Sequence, residues 1–203
     1  MRKLLLLSAI LIFGLASCSN PPGASSPTED VGVMIGGIRW ATRNVDAPGT
    51  FAARPEDPGM LYQWNRRVGW SSADPIIGSD GSTWSSGRPG GTEWTRDNDP
   101  CPPGWRVPTV EELTALHNAG SEWRMQNEVR GRFFGTAPNR IFLPAVGLRN
   151  HNGALNLVGA IGYYWSSSEA GEGLAFFLRN VSTFTGIADY NRARGFSVRC
   201  VAE

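Results

Sequence analysis

Three cysteines, two histidines and a short run of serines are the side chains in this chain that could carry covalent chemistry. Cys18, Cys101 and Cys200 are widely separated, and a nucleophilic thiol needs a histidine beside it, for which only His117 and His151 exist. Ser166, Ser167 and Ser168 run into Glu169, so a Ser-His-acid set exists by inventory. No Gly-x-Ser-x-Gly elbow accompanies it, and such a triad is defined by geometry rather than by spacing. A glycosidase needs two carboxylates at a set separation, which Glu111, Glu112, Glu169 and Asp189 satisfy only as any carboxylates would. Asp80-Gly-Ser and Asp97-Asn-Asp offer clustered oxygens to a hard cation, but neither fits a twelve-residue calcium loop, and turn formation accounts for both. After Lys3 the chain has no lysine, which excludes a Schiff-base or P-loop lysine. The expectation is a protein with no catalytic residues, no metal and no cofactor.

The first 17 residues read as a secretory leader. Met1-Arg-Lys is followed by an apolar run from Leu4 to Ala16, too short to span a bilayer. Leu15-Ala-Ser-Cys18 is a lipobox pattern, which implies cleavage before Cys18 and its acylation, making the membrane a partner through a lipid anchor. By resemblance to bacterial lipoproteins, Ser19 after the cysteine favours the outer membrane, facing the periplasm or the outside. Cys101 and Cys200 remain, and an even pair in an oxidising compartment reads as one disulfide. Without Arg2 and Lys3 the formal charge falls from +1 to −1, so there is no electrostatic footprint for nucleic acid.

Residues 18–30 form a Pro/Ser/Gly-rich tether, and residues 31–203 have the length of one domain. Gly36-Gly37 between two β-prone runs predicts a hairpin. Asn44 to Pro100 is loop-rich, with Trp40, Trp64, Trp70, Trp84, Trp94 and Trp105 expected chiefly as core or loop anchors. Thr109 and Glu112 have the spacing of a capping box, and Val110, Leu113, Leu116 and Ala119 or Gly120 then repeat at helical period. A second short helix is expected around Trp123 to Val129. Strands are expected at Ile141–Val146, Gly162–Ser167, Leu174–Arg179 and Phe196–Val201, and in the last Phe196, Val198 and Cys200 share one face.

Several strings together resemble the FISUMP domain of bacterial lipoproteins: Ile35-Gly-Gly-Ile-Arg-Trp40, Arg43-Asn-Val45, Gly59-Met-Leu-Tyr-Gln-Trp64, Asp99-Pro-Cys-Pro-Pro-Gly-Trp-Arg-Val-Pro-Thr109, Leu143-Pro-Ala-Val-Gly147, Gly162-Tyr-Tyr-Trp-Ser-Ser-Ser168 and Gly195-Phe-Ser-Val-Arg-Cys-Val201. The resemblance implies an α+β, C-type-lectin-like fold, loop-rich, with small antiparallel sheets and one or two helices. It points to the branch shared with formylglycine-generating enzymes and diversified binding proteins. The reactive cysteines of those enzymes and the calcium signature of the lectins have no counterpart here.

The function implied is a non-catalytic binding or adhesion module for a carbohydrate or a surface protein. A structural subunit of a pilus tip or envelope complex comes second, and a degenerate enzyme-like fold third. By the same resemblance, contacts belong on the connectors Arg149 to Leu157, Glu169 to Gly173 and Asn180 to Arg194. The aromatic segment before Cys101 is not expected to supply them. Arg149, Asn150, His151, Asn152, Asp189, Tyr190, Asn191 and Arg192 are the candidate ligand-binding residues.

Overall fold

In the computed structural model, which describes Ser26 and residues 28–203, strands β1 (Val33–Ile35) and β2 (Ile38–Trp40) form the expected hairpin. Cys18 and the leader lie outside the described residues. Gly36 and Gly37 turn the hairpin with φ of 60° and 81°, the left-handed values that a two-residue turn of this kind requires. There follow β3 (Leu61–Gln63), β4 (Gly69–Trp70), β5 (Trp105–Arg106) and the helix α1 (Val110–Asn118). Next come β6 (Ser121–Gln126), β7 (Val129–Thr136), β8 (Asn139–Pro144), β9 (Leu148–Arg149) and β10 (Leu155–Asn156). The chain closes with β11 (Gly162–Gly171), β12 (Leu174–Asn180), β13 (Thr185–Asn191), β14 (Gly195–Phe196) and β15 (Val201–Ala202). Four small antiparallel sheets result, ordered β1-β2-β15-β5, β10-β9-β14-β3-β4, β11-β12-β13 and β6-β7-β8. The architecture is loop-rich α+β with one α-helix among the described residues.

That helix starts where the sequence says it should. Thr109 Oγ1 accepts from the Glu112 amide, and Glu112 accepts from the Thr109 amide at 2.8 Å. Arg106 then grips the same carboxylate with two bonds of 2.8 and 2.7 Å, and Ser168 Oγ accepts from the Val110 amide. Three of the orphan donors of the first turn are thereby satisfied. Leu113 and Leu116 point into the core.

Three expectations are corrected. Residues 121–129 are no helix but most of the β6-β7 hairpin, turned by Asn127 and Glu128 at φ of 46° and 66°. Local propensity there is weak. The buried Glu56 carboxylate fixes the hairpin tip by accepting from Gln126 Nε2 and Asn127 Nδ2, and β7 is held from its other side by β8. The stretch from Asn180 to Arg194 is not simply a connector, because Thr185–Asn191 is β13, paired in unbroken register with β12. Gly186, Ala188 and Asp189 are poor strand formers alone, and the neighbouring strand decides. The last strand is split: Phe196 ends β14 and Val201 begins β15, in different sheets. Its two faces are both covered, so Ser197 and Arg199 are as buried as Phe196, Val198 and Cys200.

The reason is that the closing segment runs between two cores. One gathers Phe51, Tyr62, Trp64, Trp165, Phe177, Phe196 and Val198; the other gathers Trp40, Leu113, Leu116, Phe134, Leu143, Tyr164 and Val201. Of the tryptophans, Trp40, Trp64, Trp70, Trp94 and Trp165 are buried anchors, as loop-rich structure requires. Cys101 and Cys200 are bonded, tying the segment ahead of α1 to the closing segment. Arg199 is wholly buried and donates to Asn44 Oδ1, to the Ala41 carbonyl and to the Phe142 carbonyl. Burial pushes its pKa down to about 10, with Tyr164 and Asp30 pulling the other way, so the cation persists at neutral pH.

Two outcomes follow. The Cys101→Ser, Cys200→Ser variant, whose two positions are 99 apart in sequence, loses about 2–5 kcal/mol in urea unfolding. Glu112→Gln loses about 1 kcal/mol at pH 7. Burial raises the Glu112 pKa, but bonds from Arg106 and Thr109 outweigh it and hold the carboxyl below its ordinary value. Its contribution is therefore present above the unfolded-state pKa and disappears as the pH falls through the folded one. Wild type and Glu112→Gln should converge in stability at acid pH.

Candidate functional site

Of the connectors singled out from the sequence, Arg149 to Leu157, Glu169 to Gly173 and the end of Asn180 to Arg194 are joined through Arg192 and Arg194. The turn after Asn180 lies at the other end of the β12-β13 hairpin. A segment expected to be elsewhere lies across the joined connectors. Residues 71–92, rich in Ser and Gly, cannot hold themselves in place by regular hydrogen bonding, and two buried arginines do it for them. Arg149, 1% exposed, donates Nε to the Ser71 carbonyl at 2.8 Å, Nη2 to the Ala73 carbonyl at 2.6 Å and Nη1 to the Gly153 carbonyl at 2.7 Å. Its ion pair with Asp74, 3.1 Å, completes the clamp. Arg192, 3% exposed, donates to the carbonyls of Leu174, Gly91 and Gly171 and to Glu169, with its plane 4.1 Å from the Trp64 ring centre. Each guanidinium thus joins the segment before Cys101 to the C-terminal connectors, a task for five coplanar donors and no acceptor.

Gln63 and Trp84 reinforce the overlay. Gln63 Nε2 donates to the carbonyls of both Ser85 and Ala193, and Trp84 Nε1 donates to the His151 carbonyl at 2.8 Å. The Trp84 ring lies against Gly153 and Gly195, where an added Cβ would come within 3.2 and 3.1 Å of it, and meets Trp70 edge-on at 5.1 Å. Arg88 packs beside Gly173, and a cleft of about 430 Å³ opens between residues 88–92 and 169–173, with Arg192 among its lining residues.

The eight candidate residues divide accordingly. Arg149 and Arg192 face inward and are spent on backbone carbonyls, so neither is a free ligand-binding group. Asn152 and Asn191 shape turns, accepting from the amides of Ala154 and Ala193. Asn150 accepts from Arg194, whose guanidinium lies 3.9 Å from the Tyr190 ring centre, so one side chain bridges the two connectors. His151, Asn152, Asp189 and Tyr190 are exposed at this end. The sequence reads Trp84 only as an aromatic anchor and Arg194 only as the end of a connector, and both join the overlay. For Arg194 a signal existed: in Arg192-Ala-Arg194 the arginine pointing in had to be told from the one pointing out, and strand alternation does not operate in a turn.

A larger cleft of about 810 Å³ lies beside Asp30, Arg43, Arg54 and Trp105. Asp30 there is consumed by the amides of Gly32 and Thr42, the Thr42 hydroxyl and Arg43. No group of three metal-binding side chains is present among the described residues, nor any helix there long and apolar enough to cross a membrane. Comparison of the chain with protein families, with curated proteins and with solved structures finds no match.

Replacing Arg149 or Arg192 by Met should cost about 3 kcal/mol, since several buried carbonyls lose their donors. It should also raise amide exchange and protease cleavage within residues 71–92 ahead of global unfolding. Exchange unchanged in that segment would show that the arginines do not hold it.

Proposed function

We propose that the chain is a non-catalytic binding module of the bacterial cell envelope, anchored through a lipid on Cys18 and built on the C-type-lectin-like fold of the FISUMP domain it resembles. The observation that carries this reading is the way Arg149 and Arg192 lock four stretches remote in sequence into one surface. That surface leaves His151, Asn152 and Tyr190 exposed to a partner. A rigid scaffold presenting irregular loops suits recognition, because the entropy of ordering the loops is already spent before the ligand arrives. The exposed groups combine amide, imidazole and phenol chemistry, which suits hydroxyl-rich ligands such as glycans.

A glycan screen with the purified protein should therefore return ligands. The His151→Ala, Tyr190→Ala variant should bind them about tenfold more weakly, with a melting temperature within about 2 °C of the parent. A screen without ligands, or a double variant of unchanged affinity, would count against the reading. Cys18→Ala should leave the membrane fraction or remain unprocessed, since the lipid supplies the anchor; identical fractionation and migration would remove the lipoprotein assignment.

A further inference from the structure

The margin of the β11-β12-β13 sheet beside this surface carries donors with no acceptor to match. Tyr163 on β11 lies opposite Arg179 on β12, and Arg179 opposite Gly186 on β13, so the three share one sheet face with Ala188 and Tyr190. Arg194 reaches the same margin from beyond β13 and lies over Tyr190. Arg179 lies over Phe184 at 4.9 Å from its ring centre, and Phe184 and Tyr190 are 48% and 39% exposed. Burial raises the Tyr163 pKa while Arg179 and Arg194 both lower it, so both cations act on one hydroxyl.

Among the described residues neither Arg179 nor Arg194 has a carboxylate within 4.0 Å, and the Nε of each is shut from solvent without a partner. Their protein partners are neutral: two aromatic rings and, for Arg194, the Asn150 amide oxygen. Asp189, the acidic residue nearest along the strand, belongs to the opposite sheet face by alternation. On this face Ala188, opposite Phe177, packs against the first core, and the open space between the arginines is at Gly186. A Cβ built on Gly186 would meet nothing within 4 Å.

We propose that this margin binds a carboxylated saccharide, a uronic acid unit of an acidic polysaccharide. The carboxylate lies between Arg179 and Arg194, a ring hydroxyl reaches Tyr163, and the sugar ring rests over Gly186. The inference rests on the glycan-binding reading and gives it a ligand class. A planar guanidinium matches a carboxylate in two parallel bonds, and the open space between two aromatic rims accommodates a flat ring rather than a compact ion.

The test is calorimetric titration of the purified full chain at about 0.15 M salt, where non-specific attraction between exposed charges is screened. The probes are polygalacturonate, the same polymer fully methyl-esterified, and dextran sulfate. Polygalacturonate should bind at least about tenfold more tightly than either of the others, and Arg179→Gln and Arg194→Gln should each weaken it by about tenfold or more. Gly186→Leu, which fills the open space without altering charge, should abolish binding while thermal unfolding shows the fold intact. Equal binding of the esterified polymer, or other neutral glycans bound with the arginines irrelevant, would overturn the uronate site and leave the glycan-binding reading standing. Equal binding of dextran sulfate would overturn the carboxylate assignment. Absence of binding by every glycan tested would overturn both.

Discussion

A chain with so few regular elements must still find partners for its buried carbonyl groups, and buried guanidinium groups supply them. Arg43 donates to the carbonyls of Ala52, Ser26 and Glu29, and Arg132 to those of Val181 and Ser182. Arg149, Arg192 and Arg199 do the same for three further groups of loops. An unpartnered buried carbonyl costs about 1–3 kcal/mol, so each such arginine offsets several penalties at once while its own charge is dispersed over bonds to dipoles. Lysine could not take these places, because its ammonium is a compact point charge without the planar fork.

The same device connects stability to the surface that function would use. Arg149 on β9 and Arg192 in the turn between β13 and β14 reach to the segment 71–92, so the outer loops inherit the rigidity of the sheets. Aromatic packing supports the same points from below: Trp64 lies under Arg192, and Phe196 stacks on Trp165 with ring centres 4.1 Å apart. Arg179 and Arg194 are the contrast. They have the same chemistry and neighbouring positions, but aromatic rings rather than carbonyls as their main partners, and so they retain donors for a ligand.

What sequence alone determined here are the features set by short-range physics. A Gly-Gly turn needs positive φ, a Thr and a Glu three apart cap a helix, and an even pair of cysteines in a chain that reads as exported is expected to pair. Each appears as expected, and the small antiparallel sheets follow from the β-prone runs and the turn residues between them. What only the tertiary structure decided are features that depend on partners distant in the chain. Residues 121–129 became a hairpin because Glu56 and β8 hold them. Residues 185–191 became a strand because β12 offers a register. Whether an arginine points into the protein or out of it depends on whether unpaired carbonyls lie within its reach, and those of Ser71, Ala73 and Gly91 come from more than 70 residues away in sequence. No local pattern encodes that distance, which is why Arg149 and Arg192 looked like ligand-binding groups and Arg179 and Arg194 did not.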